Sequence, residues 1–154
     1  MPEAVIVATG RTPIGRANKG SLAECRPDDL TALVVRAVLE KIPALDPQSI
    51  EDLILGCGQP AGESGFNIAR VAAVLAGLHD VPGVTVNRYC SSSLQTIRMA
   101  AHAIRAGEGD AFIAAGVETV SRFASGASDS GNATNPDRKS TRLNSSHITI
   151  SYAV

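Results

Sequence analysis

The sequence has no tryptophan, and its tyrosines and phenylalanines together make up only 3% of the residues. A core of this kind must be assembled from Ala, Val, Leu and Ile, which suits helices packed tightly on a sheet covered on both faces. Charge of one sign is lacking too: 14 basic residues stand against 15 acidic ones in 154. With no block of like charges, nothing attracts nucleic acid or an anionic membrane, and neither is expected as a partner. Apolar runs such as Leu33 to Val38, itself broken by Arg36, and Ala111 to Val117 fall well short of the roughly 20 residues that span a bilayer. Met1 to Val7 carries Glu3 and enters an apolar run directly, without the basic and long apolar regions of an export signal. The three cysteines, Cys25, Cys57 and Cys90, form no C-x-x-C pair. This argues against a disulfide framework or a structural zinc site, and the expected compartment is a reducing cytoplasm.

What is present is an alternation of buried strands and helices. Ala4 to Ala8 is a short apolar run closed by Thr9, Gly10 and the turn residues Pro13 and Gly15, and reads as a first buried strand. Further strands are predicted at Asp52 to Leu55, Gly83 to Val86 and Ala111 to Ala115. Helical spacing of apolar residues appears from Asp28 to about Lys41, from Asn67 to Leu78 and from Ser92 to Arg105, the last stopped by Gly107 and Gly109. Such an order predicts an α/β fold with a mostly parallel sheet, built from right-handed crossovers. From Ala124 to Asp137 periodicity gives way to Gly, Ser, Asn and Ala, the composition of a loop or the start of an inserted segment.

One stretch places chemistry at a defined spot. In Val84 to Ser93, VTVNRYCSSS, a buried strand runs through a tight turn into a helix with Cys90 at the turn. The partial positive charge and free N–H groups of the helix start would stabilise a thiolate there, and the same N–H groups could hold the oxyanion of a thioester under attack. The bland alternative is that Cys90 is simply a small buried hydrophobe, as free cysteines commonly are.

Four ordered motifs carry a family resemblance: VIVATGRTPIGR at Val5 to Arg16, FNIARVAAVLAGL at Phe66 to Leu78, NRYCSSSLQ at Asn87 to Gln95, and AAGVETVSR at Ala114 to Arg122. They resemble, in order, the first strand and turn, the Asn-x-x-Arg helix, the nucleophile motif and the Gly-x-Glu-x-x-Ser segment of the thiolases. The resemblance implies the N-terminal half of a thiolase-like fold, truncated, with helices on both faces of the sheet. It divides the chain into a domain core over 1–123, the start of a loop region over 124–137, and a tail over 138–154. That tail, RKSTRLNSSHITISYAV, resembles translated sequencing adapter and is expected to have no evolved role.

By the same resemblance Cys90 is the nucleophile of an acyl-CoA acyltransferase. It takes an acyl group from an acyl-CoA or a 3-ketoacyl-CoA as a thioester and passes it to CoA or to a second acetyl-CoA, as in fatty acid β-oxidation and related lipid metabolism. The resemblance implies no bound cofactor, CoA and acyl-CoA as substrates, and a homodimer or homotetramer for the intact protein. Thiolases carry Gly-His-Pro, Asn-Glu-Ala-Phe and Cys-x-Gly-Gly-Gly motifs in a C-terminal half, and none of these occurs here. The chain alone is therefore expected to be nearly inactive and to self-associate. Ser93 stands where the family usually has Gly, which would matter if that position needed a positive φ. Two rivals remain: a ketoacyl synthase, whose nucleophile surroundings differ, and a non-catalytic thiolase-like protein that binds acyl-CoA or lipid.

The other singled-out residues receive structural readings. Cys25 and Cys57 read as packing or surface thiols. His79, His102 and His147 are isolated and make no credible base for Cys90. Arg11, Asn67, Arg70, Asn87, Arg88 and Glu118 fall in the family motifs and read as groups that fix loops or touch another subunit. Asp28 with Asp29, and Glu51 with Asp52, read as solvated element ends.

Overall fold

The computed structural model describes residues 2–122, so the readings for 124–137 and the tail, and that for His147, fall outside the described residues. Three strands form one parallel sheet: β1 (Asp52–Gly56), β2 (Gly83–Val86) and β3 (Phe112–Gly116), in the order β2-β1-β3. Leu53 pairs with Gly83 on one side and Ile113 on the other; Gly56 pairs with Val86 and Gly116. Three helices accompany them: α1 (Pro27–Leu39), α2 (Ile68–Leu75) and α3 (Ser92–Ala106). All lie where the apolar spacing predicts.

Alternation along β1 sorts the layers, because successive side chains of a strand point to opposite faces. Leu53 and Leu55 face one way, into a core with Val35 of α1 and with Ile68, Ala69, Ala72 and Ala73 of α2. Leu53, Leu55 and Ile68 are fully buried, worth about 1.5–3 kcal/mol each by transfer. Gly56 faces the other way, against the first turn of α3. Helices thus cover both faces, as expected for a parallel sheet. Pro27 opens α1, where a missing N–H costs nothing, and Gly107 ends α3 at φ +77°.

The expected first strand is not formed. Ala4 to Ala8 has no ladder partner among the described residues, and Val5, Ile6 and Val7 are 66%, 69% and 69% exposed. An apolar slot of about 1350 Å³, lined among others by Val5, Val7, Val34, Ile97, Ile113 and Ala115, separates this segment from the outer edge of β3. The apolar run shows that these residues suit burial, but burial as a strand needs a neighbour to bond with, and β3 stands across the slot. The segment is fixed from outside instead. Lys41 Nζ donates to the Thr9 carbonyl at 2.6 Å, Gly10 abuts Val38, and the Asn18 N–H donates to Ser121 Oγ at 2.9 Å.

An open strand edge beside three exposed aliphatics invites edge-to-edge pairing. The purified chain is therefore expected to elute from a size-exclusion column as broad, concentration-dependent oligomers; a sharp monomer peak across a tenfold dilution series would contradict this.

A further expectation needs correcting. Asp28 is not solvated: it is 6% exposed, and its carboxylate accepts from Arg26 Nη2 at 2.8 Å and Nε at 3.0 Å. Burial pushes its carboxyl up, but the hydrogen bonds and charge of Arg26 outweigh this and hold it below the usual carboxylate range. Arg26 also reaches Glu63, which binds Arg122, so the start of α1 is tied to the chain beyond β3. Asp52 at the head of β1 is half-buried with Oδ1 unpartnered, and burial pushes its carboxyl up.

Candidate active site

The C-terminal ends of the three strands lie side by side, and in open α/β sheets this edge is where ligands bind. β1 leads into Cys57-Gly58, β2 into Asn87-Arg88-Tyr89-Cys90, and β3 into Val117-Glu118. Backbone bonds lock the three exits together: the Cys57 N–H donates to the Val86 carbonyl and the Val117 N–H to the Gly56 carbonyl, each at 3.0 Å.

Cys90 lies in a single 3₁₀ turn, Tyr89–Ser91, that runs straight into α3, and it is exposed. The turn is held by a dense local network. The Asn87 side-chain oxygen accepts the Tyr89 N–H at 2.8 Å, and Arg88 Nη1 donates to the Gln95 side chain at 2.8 Å. Ser92, buried, does most of the stapling: its hydroxyl donates to the Tyr89 carbonyl at 2.6 Å and accepts the Arg88 N–H at 2.9 Å. Tyr89 is in the left-handed region at φ +49°, a conformation that persists in a non-glycine residue only when its surroundings impose it. Sequence reasoning placed Asn87 and Arg88 as loop-fixing groups but missed Ser92, since nothing in a run of three serines tells which one faces inward.

Close approach of α3 to the sheet depends on two glycines paired across β1 and β3. A methyl group on Gly56 would lie 2.6 Å from the Ser92 carbonyl carbon, and one on Gly116 would overlap the Ser93 hydroxyl. Ser93 itself sits in α3 without a positive φ, so the departure from the family's glycine creates no backbone strain here. The missing side chain of Gly116 makes room for its hydroxyl.

The Asn67 and Arg70 pair secures β2 from the other face. Asn67, at φ +55°, donates from Nδ2 to the Gly83 carbonyl at 2.7 Å and accepts the Thr85 hydroxyl at 2.9 Å. Arg70 donates to the carbonyls of Leu78, His79 and Val81, which closes the loop leading into β2. Both residues fix loops and neither reaches the Cys90 turn.

Glu118 as a whole is exposed, yet its carboxyl is partly buried against Gly58, whose N–H donates to Oε2 at 2.8 Å. Desolvation pushes this carboxyl up from the usual glutamate value near 4.5, and the Gly58 and Gln59 backbone bonds offset only part of that. Cys57 Sγ lies 4.0 Å from Oε1; burial, and secondarily the charge of Glu118, pushes that thiol up. Cys57 is thus a sealed packing thiol, and Cys25 is half-buried in the turn before α1. The sign for Glu118 follows from linkage: the unfolded chain ionises it first, so its contribution to stability falls as pH rises from about 4 through the elevated folded value. Glu118→Gln should therefore gain stability relative to the parent between pH 4 and pH 7. A constant difference in urea midpoint across that range would be the contrary result.

Neither His79 nor His102 joins this edge: His79 lies in the loop closed by Arg70, and His102 on the exposed side of α3. Among the described residues no group of three or more His, Cys, Asp or Glu side chains is placed to hold a metal, and no helix is long and apolar enough to cross a membrane.

A parallel α/β sheet with an exposed cysteine where its outer strand turns into a helix defines the class: an α/β protein with a thiol at a nucleophile-elbow position. Residues 4–148 match the family described as "Thiolase, N-terminal domain", and the chain belongs to the thiolase family as an N-terminal part. It is 51% identical over 123 residues to a 3-ketoacyl-CoA thiolase of Bacillus subtilis (strain 168), a match that covers 79% of this chain and 31% of that protein. It is 50% identical over 123 residues to the 3-oxoadipyl-CoA/3-oxo-5,6-dehydrosuberyl-CoA thiolase of Escherichia coli (strain K12), covering 79% of this chain and 30% of that protein. A 3-ketoacyl-CoA thiolase of Idiomarina loihiensis is 48% identical over 119 residues, covering 77% of this chain and 31% of its own length. The chain therefore spans about a third of the length of these relatives.

Proposed function

We propose that this chain is the nucleophile-bearing part of an acyl-CoA acyltransferase working through a covalent acyl-cysteine at Cys90. The observation that carries the reading is the exposed Cys90 thiol at the start of α3, on the strand-end edge of the sheet. The thiolate sulfur attacks the carbonyl carbon of an acyl-CoA thioester, or the 3-keto carbon of a 3-ketoacyl-CoA. In the first case CoA leaves as its thiolate; in the second the bond between C2 and C3 breaks and acetyl-CoA departs with a proton added at C2. Either way the acyl group rests on sulfur as a thioester, and either CoA or the C2 carbon of acetyl-CoA then takes it. Transfer between sulfurs exchanges one thioester for another and is nearly balanced in energy, so the exchange of the acyl group between Cys90 and CoA is open in both directions. The helix start supplies the positive end of a dipole for the thiolate and for the oxyanion.

The substrates are CoA and acyl-CoA, with no resident cofactor, and the whole protein is a homo-oligomer of the cytoplasm that acts in lipid metabolism. Activity needs the downstream part that the relatives possess, because no described side chain near Cys90 offers a base. The 154-residue chain alone should leave 3-ketoacyl-CoA uncleaved.

Iodoacetamide at neutral pH tests the reading. Cys90 should be alkylated about tenfold or more faster than Cys25, and Cys57 slower still because it is sealed. Equal rates at Cys90 and Cys25 would remove the activated thiol and favour a protein that binds acyl-CoA without transforming it.

A further inference from the structure

Glu118 belongs to a motif that the proposed chemistry leaves unused, yet it sits at the strand-end edge and touches the turn next to the thiol's own. A β-carbon built on Gly58 would lie 2.8 Å from Glu118 Oε2 and 3.4 Å from the Tyr89 carbonyl oxygen. The carboxyl, the Gly58 backbone and the peptide unit just before Cys90 thus converge on one point with no room for a side chain. Glu118 itself is held rigidly, because the Val117 N–H is bonded to the Gly56 carbonyl and Gly116 is in register with Gly56. At the other side of the contact stands Tyr89 in its left-handed conformation, which requires support from its surroundings.

We infer that Glu118 is a positioning residue for Cys90: by gripping the Gly58 N–H it holds the β1 exit against the Tyr89 carbonyl and so fixes where the Cys90 turn sits over the start of α3. The inference rests on the proposed role of Cys90, and it adds a group acting through Gly58 without touching substrate. The register of β1 with β3 is transmitted to the turn through the Glu118 carboxyl, which takes backbone bonds from Gly58 and Gln59. A glutamine keeps that acceptor, and an alanine removes it.

The test measures iodoacetamide alkylation of Cys90 relative to Cys25 in the full 154-residue chain at neutral pH, by peptide mass spectrometry, with far-UV circular dichroism as the check on folding. Glu118→Ala is expected to lower the Cys90 to Cys25 rate ratio about fivefold or more, since small displacements of a reacting group have large effects. Glu118→Gln should keep the ratio within about twofold of the parent, because its amide oxygen still accepts the Gly58 N–H. Gly58→Ala, whose methyl pushes the carboxyl and the Tyr89 carbonyl apart, should reproduce the fall. A folded Glu118→Ala with an unchanged ratio overturns the inference, and so does a glutamine variant as impaired as alanine, which would assign the effect to charge. Should Glu118→Ala unfold, Gly58→Ala decides: a fall supports the inference and an unchanged ratio overturns it. A parent ratio near one would instead sink the reading of Cys90 itself.

Discussion

Joined in place of the corresponding segment of the Bacillus subtilis 3-ketoacyl-CoA thiolase, residues 1–122 of this chain are expected to give a protein that cleaves 3-ketoacyl-CoA, and Cys90→Ala in that chimera to abolish the cleavage. The alignment over 123 residues at 51% identity makes the junction natural, since it falls just past the last described turn. Removing the nucleophile of a covalent mechanism costs about 10⁴-fold or more in kcat, because the acyl-enzyme can no longer form. Cys57→Ala should change kcat far less, as its sulfur is buried and tied to the packing under Glu118. Thiolysis followed at the absorbance of the 3-ketoacyl-CoA checks both. A Cys90→Ala chimera retaining even a tenth of the parent rate would refute the covalent route while leaving the fold assignment intact.

Gly56→Ala is expected to destabilise the chain strongly. The added methyl would lie 2.6 Å from the Ser92 carbonyl carbon and 2.7 Å from the Ser93 nitrogen. Both are backbone atoms of α3 that cannot rotate away, so the helix must lift off the sheet. Overpacking costs about 1–3 kcal/mol, and a clash with two backbone atoms belongs at the upper end, a large share of the ~5–15 kcal/mol that holds a domain together. Lifting α3 also drags the Ser92 hydroxyl out of its two bonds. Gly107→Asn makes the contrast, because nothing lies within 4 Å of a β-carbon there and asparagine tolerates the left-handed cap. Its cost should stay under about 1 kcal/mol. Urea melts of the two variants measure the difference, and similar midpoints would show that α3 can yield.

The contrast between these two glycines indicates what the sequence could and could not reveal. Helices α1, α2 and α3 were legible because their apolar residues recur at helical spacing, and β1 to β3 because short apolar runs end at Gly and Pro. Parallel order followed from the alternation of the two. Ala4 to Ala8 has the same signature as β1, yet it stays unpaired: an apolar run shows that burial is suited and says nothing about which edge is free. Asp28 reads as an exposed helix start from its position, and only the fold shows Arg26 folding back over it. At the site, Cys90 was findable from the strand-turn-helix pattern and its motif. Ser92 and the contact of Glu118 with Gly58 were not, since the first depends on which serine faces the sheet and the second joins residues sixty positions apart.

The position of β1 between its two parallel neighbours governs how quickly the molecule can assemble. Leu53 must wait for Gly83 before one ladder can zip and for Ile113 before the other, and among the described residues no hairpin is available to nucleate the sheet locally. Helices α1 and α2 can form within microseconds, but closing such long loops before any bond rewards it places domains of this topology toward the slower, millisecond end of the range. While Ile113 is still being synthesised, one flank of the centre strand lies bare, and the nascent chain is most open to misassociation in that interval.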